Sequence, residues 1–120
     1  MSSSKIYPKQ CEIWKINLDP TLGSEMKKTR PVIIISNSIV NKSSLRIVVP
    51  LTGYKPDDDQ WDWKIKITPD NINGLTKDSV VDALNIRSVS LDRFQQKLGV
   101  ISVDKLLEIQ NAVTMIIEEI

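Results

Sequence analysis

Arg30-Pro31-Val32-Ile33-Ile34-Ile35-Ser36-Asn37 is the segment on which the fold turns. Four consecutive β-branched residues, Val32 to Ile35, leave no polar position for a solvent-facing side. A short apolar run of this kind, bounded by Pro31 and by Ser36-Asn37, predicts a strand covered on both faces. Pro31 also disfavours a helical backbone at Arg30, so that guanidinium springs from an extended, anchored position at the mouth of the strand.

Outward from this strand, Glu12–Leu18 alternates Ile13, Lys15 and Asn17 against Trp14, Ile16 and Leu18 until Asp19-Pro20 stops it, which predicts a half-buried strand with Trp14 in the core. Leu45–Leu51 predicts another strand, closed off by Pro50 and Thr52-Gly53. Trp61–Ile67 sets Trp61, Trp63, Ile65 and Ile67 against Asp62, Lys64 and Lys66, the cleanest period-two pattern in the chain, and places both tryptophans on a barrel face. Ser79–Leu84 and Ile86–Val89 add one or two short strands. After Ser102, a plausible N-cap followed by Asp104, the period changes. Val103, Leu106, Leu107, Val113, Ile116, Ile117 and Ile120 predict one apolar stripe on a helix of about 16 residues. Five or six strands followed by a packed helix argue for a mainly β fold, a small antiparallel barrel or half-barrel with a C-terminal α-helix.

The chain has 120 residues and 41% apolar content, the size of one domain. Residues 1–8 are expected to be a disordered lead and 9–120 a single domain. Sixteen basic residues against 15 acidic give a formal charge of +1, so the chain as a whole carries no basic coat for nucleic acid. The distribution is uneven: residues 1–55 hold nine basic and three acidic residues, a balance of +6, and the rest of the chain carries −5. There is no histidine, which excludes Ser-His-Asp and Cys-His catalysis and the histidine ligands of most zinc enzymes. The single cysteine, Cys11, allows no intrachain disulfide and fits a cytoplasmic setting. No apolar run approaches the roughly 20 residues of a membrane span, and the four scattered glycines form no phosphate-binding loop.

Two long connections, residues 19–30 and 53–60, are where a site is expected on so small a scaffold. The first holds Glu25, Lys27, Lys28 and Arg30; in the second, Asp57-Asp58-Asp59 reads as a solvated loop. Several ordered segments then bring a family into view. Glu12-Ile13-Trp14 through Leu18-Asp19-Pro20, Gly23-Ser24-Glu25, Arg30-Pro31-Val32-Ile33-Ile34-Ile35-Ser36 and Val49-Pro50-Leu51-Thr52 resemble the MazF/PemK toxins of type II toxin–antitoxin systems. The resemblance continues through Gly74–Val81, Ile86-Arg87-Ser88-Val89 and Leu98-Gly99, and covers roughly residues 9 to 118.

This resemblance implies an SH3-like barrel of the kind shared with CcdB toxins, a homodimer, inhibition by a cognate antitoxin, and metal-independent cleavage of single-stranded RNA at short motifs, without a cofactor. It puts the catalytic arginine on Arg30, the catalytic threonine on Thr52 and the acidic residue of the RNA-closing loop on Glu25, which is therefore expected to be a third catalytic residue and, in a chain without histidine, the best candidate for the base. Ser24, Lys27, Lys28 and Asn85 fall at RNA-contacting positions. The chain also departs from the family pattern. Cys11 stands where glycine is usual, Gln10 where a basic residue is common, and Leu84 replaces an acidic residue, with Asp82 two positions earlier as a compensating carboxylate. Rival readings are a CcdB-like gyrase poison, whose action would depend on the helix, and a catalytically silent SH3-like module in which Arg30 only caps a loop. If Lys27 and Lys28 contact phosphates, their double alanine variant binds RNA with a salt slope shallower by about 0.7 per lost contact, measured by titration at several salt concentrations.

Overall fold

The two-sided strand is present, and the sheet is built around it. In the computed structural model, which describes residues 6–18 and 29–119, strand β2 (Thr29–Ile34) carries Val32, Ile33 and Ile34 at 0% exposure. Its neighbours are β1 (Glu12–Asn17) and β3 (Leu45–Gly53); β4 (Lys64–Ile67), β5 (Ser79–Asp82), β6 (Arg87–Ser90), β7 (Phe94–Val100) and helix α1 (Val103–Ile117) follow. The order is β4-β5-β3-β2-β1-β7, with β6 also on β3, and every pairing is antiparallel.

Alternation along the strands divides the apolar residues into two cores. Trp14, Ile16, Val32, Ile34, Val48, Val89 and Phe94, drawn from β1, β2, β3, β6 and β7, fill the inside of a curled five-stranded sheet, the SH3-like barrel. Trp14 meets Phe94 edge to face at 5.8 Å, as its core placement requires. The intervening residues Ile13, Ile33, Val49 and Leu51 face outward, where Val81 of β5, Ile67 of β4 and Leu106 and Ile109 of α1 cover them. Ser102 caps α1, its side chain accepting from the Lys105 amide at 3.2 Å. Among the described residues, no helix is long and apolar enough to cross a membrane.

One edge of β3 serves two strands in succession: β6 pairs with Leu45–Val48 and β5 with Leu51–Gly53. The Ile47 carbonyl accepts from Ile35 and Ser36 on the β2 side, so alternation turns Pro50 toward the β5/β6 edge. Pro50 has no N–H to offer there, and the ladder breaks. A 3-10 turn, Ala83–Asn85, spans the gap, capped by the Asp82 side chain.

Several expectations need correction. The strand from Trp61 begins only at Lys64, because a turn closed by the Lys64 amide on the Trp61 carbonyl (3.2 Å) occupies the preceding residues. Trp61 and Trp63 therefore belong to neither core. The predicted strand Ser79–Leu84 ends at Asp82, where the 3-10 turn starts. Strand β7 has no counterpart among the expected elements: Gln95, Gln96 and Lys97 are exposed on an edge strand, so its apolar signal is weak. The buried seam of α1 runs through Leu106, Ile109 and Ala112, while Val103, Leu107 and Ile117 of the expected stripe are exposed; Ile120 lies outside the described residues. Residues 7 and 8 of the expected lead make contacts with the domain. Pro8 is buried, and its carbonyl accepts from Nε of the fully buried Arg46 at 2.8 Å, with the Tyr7 ring 4.9 Å from that guanidinium.

A close approach at Gly99 and a left-handed backbone at Cys11 each constrain the residue type. A Cβ at Gly99 would stand 2.4 Å from the Ile72 carbonyl oxygen, so β7 can pack on the 70–75 loop only with glycine there. Cys11 has φ 78°, the left-handed region, while its amide donates to Ile34 and its carbonyl accepts from Ile101, both at 2.9 Å. That backbone explains why glycine suits the position. Burial pushes the Cys11 thiol pKa up, which keeps it protonated and unreactive. Cys11→Val is expected to destabilise the fold by about 1–3 kcal/mol, whereas Cys11→Gly does not; urea unfolding of both variants checks this.

Candidate active site

Beyond the barrel mouth, the face of the sheet that carries the inner core continues onto β5 and β4 and becomes polar. The β2–β3 register, Val32 on Pro50 and Ile33 on Val49, carried two pairs further sets Arg30 against Thr52. Thr52 pairs with Val80, and Asp82 with Lys64. A cleft of about 330 Å³ gathers Arg30, Thr52, Asp82, Lys64 and Asn85, together with Gly53, Lys55, Asp58 and Val80. Four strands and two connections thus converge on one concavity.

Arg30, Thr52 and Asn85 were singled out by the sequence, and the fold brings them together. Glu25, Ser24, Lys27 and Lys28 lie outside the described residues. Lys55, Asp58 and Lys64 were missed as site residues. Lys64 sits in the alternating segment opposite Ile65, but only the strand order reveals that its face adjoins Thr52.

Asp58 is not part of a solvated run. Its Oδ2 accepts from the Lys55 amide at 2.9 Å, capping the 3-10 turn Pro56–Gln60, and its Oδ1 binds Lys64 Nζ at 3.0 Å. The Lys55 amide first, and then Lys64, hold the Asp58 carboxyl below the usual carboxylate range. With Asp58 neutralising Lys64, Arg30 and Lys55 supply positive charge against the single carboxylate of Asp82. At the rim, Lys66 Nζ lies 4.1 Å from the Tyr54 ring centroid, and the Tyr54 hydroxyl donates to Asp59. That hydrogen bond is the main cause of a phenol pKa pushed up to about 12. Trp61, 41% exposed, stacks on Trp63 at 4.9 Å immediately before Lys64. Among the described residues, no group of three or more His, Cys, Asp or Glu side chains is placed to hold a metal ion.

A family model described as a PemK-like, MazF-like toxin of type II toxin–antitoxin systems matches residues 9–117. The chain belongs to this family. A curated relative, Endoribonuclease MazF9 of Mycobacterium tuberculosis, is 29% identical over 110 residues, which cover 87% of this chain and 91% of that one. Among solved structures, a MazE–MazF crystal structure from Deinococcus radiodurans superimposes with a TM-score of 0.76 at 21% identity, covering 93% of this chain and 96% of that one. A mycobacterial endoribonuclease in complex with its cognate antitoxin gives a TM-score of 0.69 at 21% identity, covering 90% and 92%. The barrel with its C-terminal helix is thus the MazF fold, and the cleft lies on the toxin family's scaffold.

The Asp58 bonds predict an acid-sensitive wall. Because its carboxyl is depressed in the fold, the stabilisation is present above the ordinary carboxylate pKa and is lost as pH falls through the lower, folded value. Tryptophan fluorescence during acid titration should show the segment beside Trp61 opening in that range, and Asp58→Ala should abolish the transition.

Proposed function

We propose that this chain is the toxin of a type II toxin–antitoxin pair and acts as a metal-independent endoribonuclease on single-stranded RNA. The observation that carries the reading is the convergence of Arg30 and Thr52, from facing strands, on one cleft flanked by Lys55 and Lys64. The names of the matched relative and of the mycobacterial structures support the same activity.

In this mechanism the 2′-hydroxyl attacks the adjacent phosphorus, and the 5′-oxygen leaves. Negative charge grows on the non-bridging oxygens. Arg30 presents a planar fork of donors able to bind two of them at once, and its anchorage before Pro31 means little reorganisation as the charge develops. Thr52 donates its hydroxyl to a non-bridging oxygen or orients the 2′-hydroxyl. Lys55 attracts the backbone without reading sequence, joined by Lys27 and Lys28 of the first loop. Glu25 and Ser24 complete the set, Glu25 as a catalytic residue and Ser24 as a contact to RNA. Asn85, exposed at the end of its 3-10 turn, contacts a base edge, and the open side of Trp61 offers an unstacked base a platform.

The toxin works as a homodimer in the cytoplasm, and its antitoxin lays an acidic, apolar segment along the cleft, where groups that attract phosphate also attract carboxylate. Ile39, Leu45, Leu107 and Ile117 remain exposed, apolar surface of the kind a second copy or an antitoxin covers.

The test is incubation of the purified protein with mixed-sequence RNA in EDTA, beside Arg30→Ala and Thr52→Ala. Wild type is expected to cleave, and loss of the Arg30 donors to slow cleavage on the order of 100-fold or more, with Thr52→Ala also defective. Growth arrest without cleavage of any RNA would favour a gyrase-type poison and sink the ribonuclease reading.

A further inference from the structure

Transfer through a 2′-hydroxyl needs a proton acceptor, and this chain has no histidine. Among the described residues, two carboxylates line the cleft, Asp58 and Asp82. They are not equivalent. Both oxygens of Asp58 are engaged, by Lys64 Nζ at 3.0 Å and the Lys55 amide at 2.9 Å, and the same bonds make it a poorer base. Asp82 uses Oδ1 alone, accepting from the Leu84 amide at 2.9 Å. That bond fixes its rotamer, and Oδ2 carries no hydrogen bond among the described residues.

Placement supports the same choice. Thr52 is paired with Val80, and Asp82 lies two residues further along β5 on the same face. Ordinary sheet geometry puts such diagonal neighbours about 7–8 Å apart, a gap that a ribose and its phosphate can fill. The charged groups facing Asp82 are Arg30 from β2, Lys64 from β4, and Lys55 and Asp58 from the connection between β3 and β4. Lys64 is drawn to Asp58, which leaves Asp82 without an ion-pair partner among the described residues.

We propose, on the endoribonuclease reading above, that Asp82 is the general base of the cleavage step. Oδ2 takes the proton from the 2′-hydroxyl as the O2′–P bond forms and the P–O5′ bond breaks. The 5′-oxygen leaves with a proton from water, and Asp82 returns its own proton to solvent. The products are a 2′,3′-cyclic phosphate and a 5′-hydroxyl, with no redox change and no further reactant. Asp82 thereby supplies a carboxylate to the cleft two positions before Leu84, which has none.

Asp82→Asn separates this role from capping, because asparagine caps a turn as well as aspartate does but accepts no proton at neutral pH. Single-turnover cleavage of saturating RNA is expected to fall between about 100- and 10,000-fold. RNA affinity and the urea midpoint should stay at wild-type values, and the acidic limb of the pH–rate profile should disappear. Asp82→Ser, which also caps, gives the same split should the amide variant not fold. Near-wild-type cleavage by Asp82→Asn overturns the assignment, as does a rate loss matched by equal loss of affinity or stability. Failure of wild type to cleave any RNA defeats the endoribonuclease reading instead, so the two failures are distinguishable.

Discussion

Val32, Ile33 and Ile34 on β2, with Val48 and Val49 on β3, have no solvent-facing side, and the rest of the molecule is arranged to cover both of theirs. A strand pair of this kind needs apolar material above and below. The inner surface is covered when the sheet curls on itself through β1, β6 and β7; the outer one is covered by β4, β5 and α1. Full burial of each such side chain contributes about 1.5–3 kcal/mol relative to exposure, so these residues dominate the choice of register. A slip of one position would exchange the two cores and turn Arg30 and Thr52 into apolar surroundings.

The same constraint locates the chemistry. The inner face is apolar only as far as the barrel closes over it. Past the mouth, residues of the same parity lie outside the inner core, and the positions occupied by Arg30, Thr52, Asp82 and Lys64 carry polar groups. Pro50 shapes the far side of this region. By withholding an N–H where β5 and β6 would otherwise join into one strand, it lets the chain turn through Ala83–Asn85, which brings Asn85 to the cleft and lets Asp82 stand at a strand end. Strands hold Arg30, Thr52, Asp82 and Lys64, and a turn carries Asn85.

Much of this was legible in the sequence because burial and period leave direct marks. The run Val32–Ile35 announced two-sided burial, the alternation around Trp14 announced a half-buried strand, and the motif-bearing positions Arg30, Thr52 and Asn85 meet in one cleft. What was hidden depends on register or on competition between local structures. Lys64 and Asp58 acquire their places from strand order and from a capped turn, neither of which composition encodes. Trp61 and Trp63 fit a strand pattern, yet a turn claims their backbone. Strand β7 faces water over Gln95–Lys97 and so lacks the apolar alternation that marks the others. At Cys11 the family pattern pointed to glycine, and the left-handed φ gives the physical reason.

The aromatic residues also give the protein two separate optical reporters. Trp14 is sealed in the barrel against Phe94, whereas exposed Trp61 and half-buried Trp63 form a stack next to the cleft wall. Two indoles stacked at 4.9 Å couple their electronic transitions, which produces a paired circular-dichroism band that an isolated tryptophan does not show. Emission sums all three tryptophans, whereas the coupled band comes from the stack alone. Events beside the cleft therefore have a signal of their own in the native chain, with no added label.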